Sequence, residues 1–302
     1  MNFFNKIIAG LLPVVPKSIV RKVSSRYIAG DTMNDAVSTV RKLNVEGAMA
    51  TVDVLGEYIK SIEQGNENTR YSIQVLETIH REQVDSNLSI KLTSLGLGLD
   101  NAACERNVRQ ILDAASANGN NFVRIDMEDS HYTSMTLDLY DRLRKEYSNV
   151  GVVLQAYLRR TEKDINRLMD TGKTNFRLCK GIYIEPEEIA FKDRQEIRDN
   201  YLKCLDLLFT GGSYVGIATH DDYLTSNAEQ LVRNHNRKHD QYEFQMLLGV
   251  RENLRRTLIS NGHRLRVYVP FGADWYGYSV RRLKENPSVA GYIVKAMFGG
   301  GK

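Results

Sequence analysis

The sequence predicts an α/β protein built as a single (β/α)8 barrel of the TIM type, and three observations carry that expectation. The 302 residues hold such a barrel, which takes about 250, with a terminal extension to spare. From Gly47 onward, eight short β-rich runs alternate with stretches of helical length, the pattern of a parallel barrel. Within the runs, polar and apolar side chains alternate, as in strands with one face toward helices and the other toward a barrel interior. An open doubly wound sheet is the competing arrangement. It usually has fewer strands, and no G-x-G-x-x-G turn follows any strand here: Gly96-Leu97-Gly98 lacks the third glycine.

The elements follow in order. Residues 1–46 are expected to form an N-terminal helical extension and residues 47–302 the barrel. The apolar run Ile7–Val15 is far shorter than the roughly 20 residues that span a bilayer, and no clean small-residue cleavage site marks a signal peptide. A helical segment packed on the domain is the preferred reading. A basic membrane-surface contact through Lys6, Lys17, Arg21 and Lys22 is the other. Strands are expected near Met49–Asp53, Leu88–Thr93, Phe122–Met127, Val150–Ala156, Asn175–Cys179, Tyr214–Thr219, Glu243–Leu247 and Leu265–Val269. Amphipathic stretches such as Tyr71–Arg81, Ala102–Asn118, Thr136–Tyr147 and Pro186–Phe209 supply the helices between them.

The alternation also says what lies inside. In the third run Val123, Ile125 and Met127 share one face, and Arg124, Asp126 and Glu128 the other. The polar set collects Thr51, Asp53, Ser89, Lys91, Thr93, Gln155, Arg177, His220, Glu243, Gln245, Arg266 and Tyr268. An interior filled for stability alone would favour Val, Ile and Leu. Burying an unpaired ion costs several kcal/mol, so this much charge demands partners or a ligand. Low in the barrel a paired network is expected, for example Arg124 with Asp53 or Glu243. Toward the carboxyl ends of the strands, where barrel active sites sit, a functional role is favoured.

Composition excludes several classes. A formal charge of +4, scattered along the chain, is too weak for nucleic acid. Cys104, Cys179 and Cys204 are an odd set without metal-like spacing, which points to a reducing, cytoplasmic compartment and no disulfide framework. His235 and His239 sit four apart, but Asn-His-Asn-Arg-Lys-His reads as a solvated helix end, and no metal is expected.

Four constellations carry chemistry. Lys91, between apolar strand residues, is a Schiff-base nucleophile, a carboxylate holder or half of a buried ion pair; the residues alone leave all three open. In Arg177-Leu178-Cys179-Lys180-Gly181-Ile182-Tyr183 a cation ends a strand and a glycine permits a sharp turn. Gly216-Ile217-Ala218-Thr219-His220-Asp221 puts small residues, a hydroxyl and an imidazole at a strand tip, where a helix cap is an equally good account. After the eighth strand, Tyr278, Arg281, Arg282 and Glu285 recur at spacings of three and four, hence along one helix flank. A guanidinium fork there matches a carboxylate.

Taken in order, these motifs resemble the proline dehydrogenase family, flavoenzymes of proline catabolism, in their short monofunctional bacterial form. The matching stretches are Ala50–Glu57, Lys91–Thr93, Arg124–Glu128, Leu154–Tyr157, Arg177–Gly181, Ala218–His220, Glu243–Leu247 and Arg266–Glu285. The resemblance implies a distorted barrel with the last helix over its mouth, and FAD-dependent oxidation of L-proline to 1-pyrroline-5-carboxylate. It also implies a quinone as electron acceptor, a separate pyrroline-5-carboxylate dehydrogenase to take the product, and peripheral contact with the inner face of a membrane. By the same resemblance Arg281, Arg282 and Lys91 hold the substrate carboxylate, Tyr268 and Tyr278 shape the slot for the ring, and Glu285 tethers the arginines. Asp126 sits beneath flavin and substrate, and Arg177 near the flavin's reactive nitrogen. Met127, Gln155, Lys180, Gly181, Ile182, Thr219 and His220 contact FAD. Ile182 stands where the family commonly has alanine, and Cys179 where valine is common. Two rivals are a Schiff-base lyase or aldolase using Lys91 and a non-catalytic amino-acid-binding barrel.

Overall fold

Eight strands pair in parallel and in sequence order, and β8 closes on β1. They are β1 (Met49–Val54), β2 (Ser86–Ile90), β3 (Val123–Ile125), β4 (Val150–Gln155), β5 (Asn175–Cys179), β6 (Tyr214–Ala218), β7 (Tyr242–Leu247) and β8 (Leu265–Phe271). In this computed structural model the described residues are 17–56, 58–170, 172 and 174–285, without the side chains of 18, 19, 23, 281 and 283–285. The apolar face of each strand packs outward under the helices, where Val52, Ile90, Ile125, Leu154, Leu178, Ile217, Phe244 and Val267 join one continuous core. A (β/α)8 barrel is what the alternation predicted.

The inner face is polar, and its lower layer is held by an ion pair and by hydrogen bonds to peptide oxygens. Glu243 accepts from Arg266 Nε at 2.8 Å, the Tyr214 hydroxyl at 2.8 Å and Gln245 Nε2 at 2.5 Å. Arg266 also donates to the carbonyl of Ala50 at 2.6 Å. Burial opposes the charge on Glu243, but Arg266 and the surrounding donors outweigh it and hold the carboxyl at about 2. The expected pairing of Arg124 with Asp53 or Glu243 is corrected here. Arg124 donates to the carbonyls of Val152 (3.2 Å) and Asn175 (2.9 Å) and to Asn175 Oδ1 (2.5 Å). Its guanidinium lies across Gly151, where a Cβ would collide with it, so the glycine makes room for a cation solvated by peptide oxygens.

Helices α1 (Lys17–Ser24) and α2 (Met33–Val45) precede the barrel, and α3 (Ile62–Arg81), α4 (Asn101–Ala117), α5 (Ser130–Leu143), α6 (Thr161–Met169), α7 (Arg194–Thr210), α8 (Asp222–Asn234) and α9 (Glu252–Ser260) alternate with the strands. Helix α10 (Trp275–Glu285) follows β8. Several boundaries differ from expectation because side chains set them. β2 ends at Ile90, not Thr93: the Glu128 carboxylate accepts from the Thr93 amide (3.0 Å) and hydroxyl, turning Thr93–Leu95 into a 3-10 turn. α7 begins at Arg194 instead of Pro186, where Asp193 accepts from the amides of Gln195 and Glu196. The segment before it folds back, with Phe191 donating its amide to the carbonyl of Tyr157. Ser61 and Asp129 cap α3 and α5 upstream of their predicted starts.

α10 lies over the barrel mouth. Its Tyr278 packs with Leu55, just past β1, and with Val20, Tyr27 and Ile28 of the segment around α1. Lys17 and Arg21 stack on Tyr276 and Trp275, 5.4 and 5.1 Å from the ring centroids. Arg21 also pairs with Asp31 at 2.5 Å. The predicted membrane contact at Lys6 lies outside the described residues.

Candidate active site

At the carboxyl ends of the strands the inner-face residues converge on one carboxylate. Asp126, just past β3, accepts from Ser89 Oγ (2.6 Å), Arg177 Nη1 (2.6 Å) and the Tyr268 hydroxyl (2.7 Å), and Lys91 Nζ lies 3.9 Å away. Lys91 pairs at 2.7 Å with Asp53 of β1. Register explains the meeting: Asp53 is the Cα partner of Ser89, and Ser89 of Arg124, so every second residue along β1, β2 and β3 points into the same space. Two buried carboxylates thus face two cations. Burial works against charge on both. For Asp126, Arg177, Lys91 and the hydrogen bonds from Ser89 and Tyr268 prevail and hold its carboxyl below the usual range. For Asp53 burial wins over Lys91, with the Asp126 charge adding to it, and its carboxyl is pushed up.

Arg177 is held from below as well. Its Nε donates to Gln245 Oε1 at 2.5 Å, while the same amide donates through Nε2 to Glu243. That second bond decides which way round the amide sits, so the lower network orients the upper one.

A second cluster sits beside the first, past β5 and β6. Lys180, Arg194, Arg198, His220 and Arg251, with Asp221, Asp222 and Tyr223, line an open cavity of about 270 Å³. Asp221 caps α8 through the Tyr223 amide and pairs with Arg198 at 2.8 Å and Lys180 at 3.4 Å. The cap predicted as an alternative for Thr219 and His220 therefore belongs to Asp221. Thr219 accepts from the Asp221 amide at 3.2 Å. Gly181 has φ +107, and a Cβ there would strike the ring of Tyr157. Gln155, at the end of β4, is buried, and its Oε1 accepts no hydrogen bond. Met127 is buried; Ile182 is 46% exposed on the loop after Gly181.

His220 Nε2 accepts from the Leu247 amide at 2.9 Å, which puts the proton of the neutral ring on Nδ1. Burial, then Arg282, Lys180 and Arg251, lower its pKa to about 4. The charge of Arg282 thus reaches the β6 tip while Tyr278 of the same helix packs beside β1, so α10 spans the opening. Arg282 also lies over the Tyr278 ring, 5.4 Å from its centroid. The side chains of Arg281 and Glu285 lie outside the described residues. Between pH 6.5 and 4 the unfolded chain binds a proton at His220 that the folded one does not. Stability therefore falls as pH drops through that window, by about 3 kcal/mol for this one group. Denaturant unfolding at pH 7, 5.5 and 4.5 should show a shallower loss in His220→Gln.

The structure thus gathers Lys91, Asp126, Arg177 and Tyr268 into one hydrogen-bonded cluster and Lys180 and His220 into another. Sequence reasoning put Ser89 and Gln245 inside the barrel without a role and gave Asp53 only that of a partner for Arg124; alternation with apolar neighbours was the available signal. It quoted Asp221 only as the end of the Gly216–Asp221 motif, and it gave no role to Arg194, Arg198 or Arg251.

A closed parallel barrel with a converging cluster of ions at its carboxyl end defines a (β/α)8-barrel enzyme. Residues 36–294 match the proline dehydrogenase family. The chain is 41% identical over 277 residues to proline dehydrogenase 2 of Bacillus subtilis, covering 92% of this chain and 91% of that one. It is 35% identical over 283 residues to proline dehydrogenase of Deinococcus radiodurans, with 92% and 91% covered. The barrel superposes on the crystal structure of proline utilization A from Bdellovibrio bacteriovorus inactivated by N-propargylglycine, with a TM-score of 0.85 and 22% identity. That match covers 99% of this chain and 38% of that one. The chain belongs to the proline dehydrogenase family and is an oxidoreductase. This sets aside the Schiff-base and non-catalytic readings. Among the described residues no helix is long and apolar enough to cross a membrane.

Proposed function

We propose that the chain oxidises L-proline to 1-pyrroline-5-carboxylate with FAD as its cofactor and a quinone as the final acceptor, the product passing to a separate pyrroline-5-carboxylate dehydrogenase. The observation that carries this is the Lys91–Asp126–Arg177–Tyr268 cluster at the mouth of a barrel of this family. The residues present fit FAD. Cations line the cavity past β5 and β6, as a diphosphate requires, and the buried Gln155 Oε1 lacks a donor. Lys180, Gly181, Ile182, Thr219, His220, Gln155 and Met127 would hold the cofactor. When bound, FAD supplies a two-electron acceptor for hydride from the ring carbon next to nitrogen.

The protein's part is orientation. Lys91, Arg281 and Arg282 hold the carboxylate, Tyr268 and Tyr278 flank the ring, and Glu285 tethers the arginines. Asp126 fixes Lys91, Tyr268 and Arg177 relative to one another, and Arg177 presents positive charge toward the cofactor. We take residues 1–46 as an extension that supports the mouth and 47–302 as the barrel. Cytoplasmic residence with peripheral attachment to the inner face of the membrane suits a quinone acceptor.

The purified protein should be yellow, and L-proline should bleach its flavin spectrum without air. A colourless protein, or a spectrum indifferent to L-proline, would end this reading. A charge-assisted hydrogen bond to a carboxylate contributes roughly 1.5–3 kcal/mol. Arg281→Ala should therefore raise KM for L-proline roughly 10- to 100-fold while flavin content stays constant.

A further inference from the structure

We infer that Asp53, acting through Lys91, accepts the amine proton that the substrate must lose, and passes it to a small polar cavity in the barrel wall. The inference rests on the proposed oxidation of a cyclic amino acid and assigns a step that the orienting residues leave without an acceptor. At neutral pH the ring nitrogen of such a substrate is an ammonium, with no lone pair. Hydride can leave the neighbouring carbon only as a nitrogen lone pair forms the C=N bond, so one N–H bond must first break and its proton must go elsewhere.

Among the described residues two carboxylates border Lys91. Asp126 is saturated: Oδ1 accepts from Ser89 and Arg177 and Oδ2 from Tyr268, and those partners hold it anionic. Asp53 is the opposite. Oδ1 accepts from Lys91 at 2.7 Å, and Oδ2 is buried without a hydrogen bond. The single Tyr268 hydroxyl proton, which could have served it, is directed at Asp126 at 2.7 Å. Asp53 borders a cavity of about 30 Å³ whose other polar walls are Asn68, Ser72, Ser89, Lys91 and Ser94, a size and lining suited to one water. Lys91 is the more open member of the pair, its side chain 11% exposed against 2% for Asp53, so Lys91 meets the substrate and Asp53 stands behind it.

Among the described residues the charged and titratable groups that act most on Asp53 are Lys91, which follows β2, Asp126 beyond β3 and Tyr268 from β8. Helix α3 contributes only Asn68 and Ser72 to the cavity. Burial and the neighbouring Asp126 push the Asp53 carboxyl up, which suits it to take a proton. The transfer balances. A Lys91 Nζ–H bond breaks as an Asp53 Oδ1–H bond forms, and the neutral Lys91 amine then takes the proton from the substrate nitrogen. Asp53 releases its proton to water in the cavity, and Lys91 ends as the cation that pairs with the substrate carboxylate.

The test uses the FAD-loaded enzyme and two variants. Asp53→Asn should lower kcat for L-proline roughly 100-fold at pH 7 and move the acid limb of kcat/KM upward by about one pH unit or more. Its affinity for tetrahydrofuran-2-carboxylate, which has the ring and carboxylate but no proton to lose, should stay within about threefold of wild type. Ser72→Val, which fills the cavity, should lower kcat about 3- to 10-fold with KM unchanged. Parallel loss of analogue affinity in Asp53→Asn would show that Asp53 merely holds Lys91 in place and would overturn the inference, as would an unmoved acid limb. Should Asp53→Asn fail to fold, Ser72→Val decides alone, and a wild-type kcat there overturns it. Failure of the proposed function looks different: the wild type itself would leave L-proline unoxidised.

Discussion

Asp126→Asn should lower kcat/KM for L-proline by roughly a hundredfold, equivalent to about 3 kcal/mol. The asparagine keeps the size of the side chain, and one oxygen can still accept from Ser89 and Arg177. Its amide group, however, presents hydrogens where Oδ2 accepted from the Tyr268 hydroxyl at 2.7 Å, with Lys91 Nζ at 3.9 Å. A donor then meets a donor, and the negative charge between two nearly buried cations is gone. Both cations lose the partner that fixes them. Ser89→Ala is the internal comparison. It removes one neutral donor from the same carboxylate, a loss of about 1 kcal/mol, so kcat/KM should fall only several-fold. Steady-state rates with a quinone acceptor measure both. Equal effects would mean that the charge on Asp126 does not matter.

The largest loss of stability is expected at the bottom of the barrel. Glu243→Ala leaves Arg266 buried and without its carboxylate, and breaking such a pair costs about 3–5 kcal/mol. For a chain of this size that is a fall in Tm of roughly 10 °C. Two comparisons separate charge from space. Glu243→Leu combined with Arg266→Met removes both ions and should recover most of the loss, since a buried pair replaced by packed apolar groups is often neutral. Glu243→Gln should change the pH response. The native carboxyl titrates at about 2 instead of 4.5, so its contribution is complete above 4.5 and disappears as pH falls from there toward 2. The glutamine variant should lack that part of acid denaturation, measured by denaturant unfolding between pH 6 and 3.

The inner face of the barrel was legible in the sequence because a strand has a period of two. Asp53, Lys91, Arg177, Glu243 and Tyr268 were placed inside by their alternation with apolar neighbours, before any partner was known. The partners were not legible. Which inner residues meet depends on the stagger between strands, and Arg124 illustrates this: it reaches the carbonyls of Val152 and Asn175, not the carboxylates expected for it. Peptide oxygens are present at every position, so no pattern of side chains announces that they will solvate a cation. Boundaries failed for a related reason. The apolar run through Leu92 suggested a longer β2, but Glu128, far along the chain, takes the Thr93 amide out of the ladder. Asp193 similarly outcompetes Pro186 as the start of α7. Asp221 received no role of its own and its arginines were missed, because a capping aspartate and solvated helix arginines look ordinary until the fold brings them to one cavity.

The cover of the barrel draws on opposite ends of the described chain, with Lys17 and Arg21 resting on Tyr276 and Trp275. All eight strands lie between Lys17–Arg21 and Trp275 in the chain, so every residue of the cylinder itself is present without the helix that roofs it. Among the described elements the roof comes last and its support first. A released chain truncated just after Phe271 should therefore hold a finished interior beneath an open top.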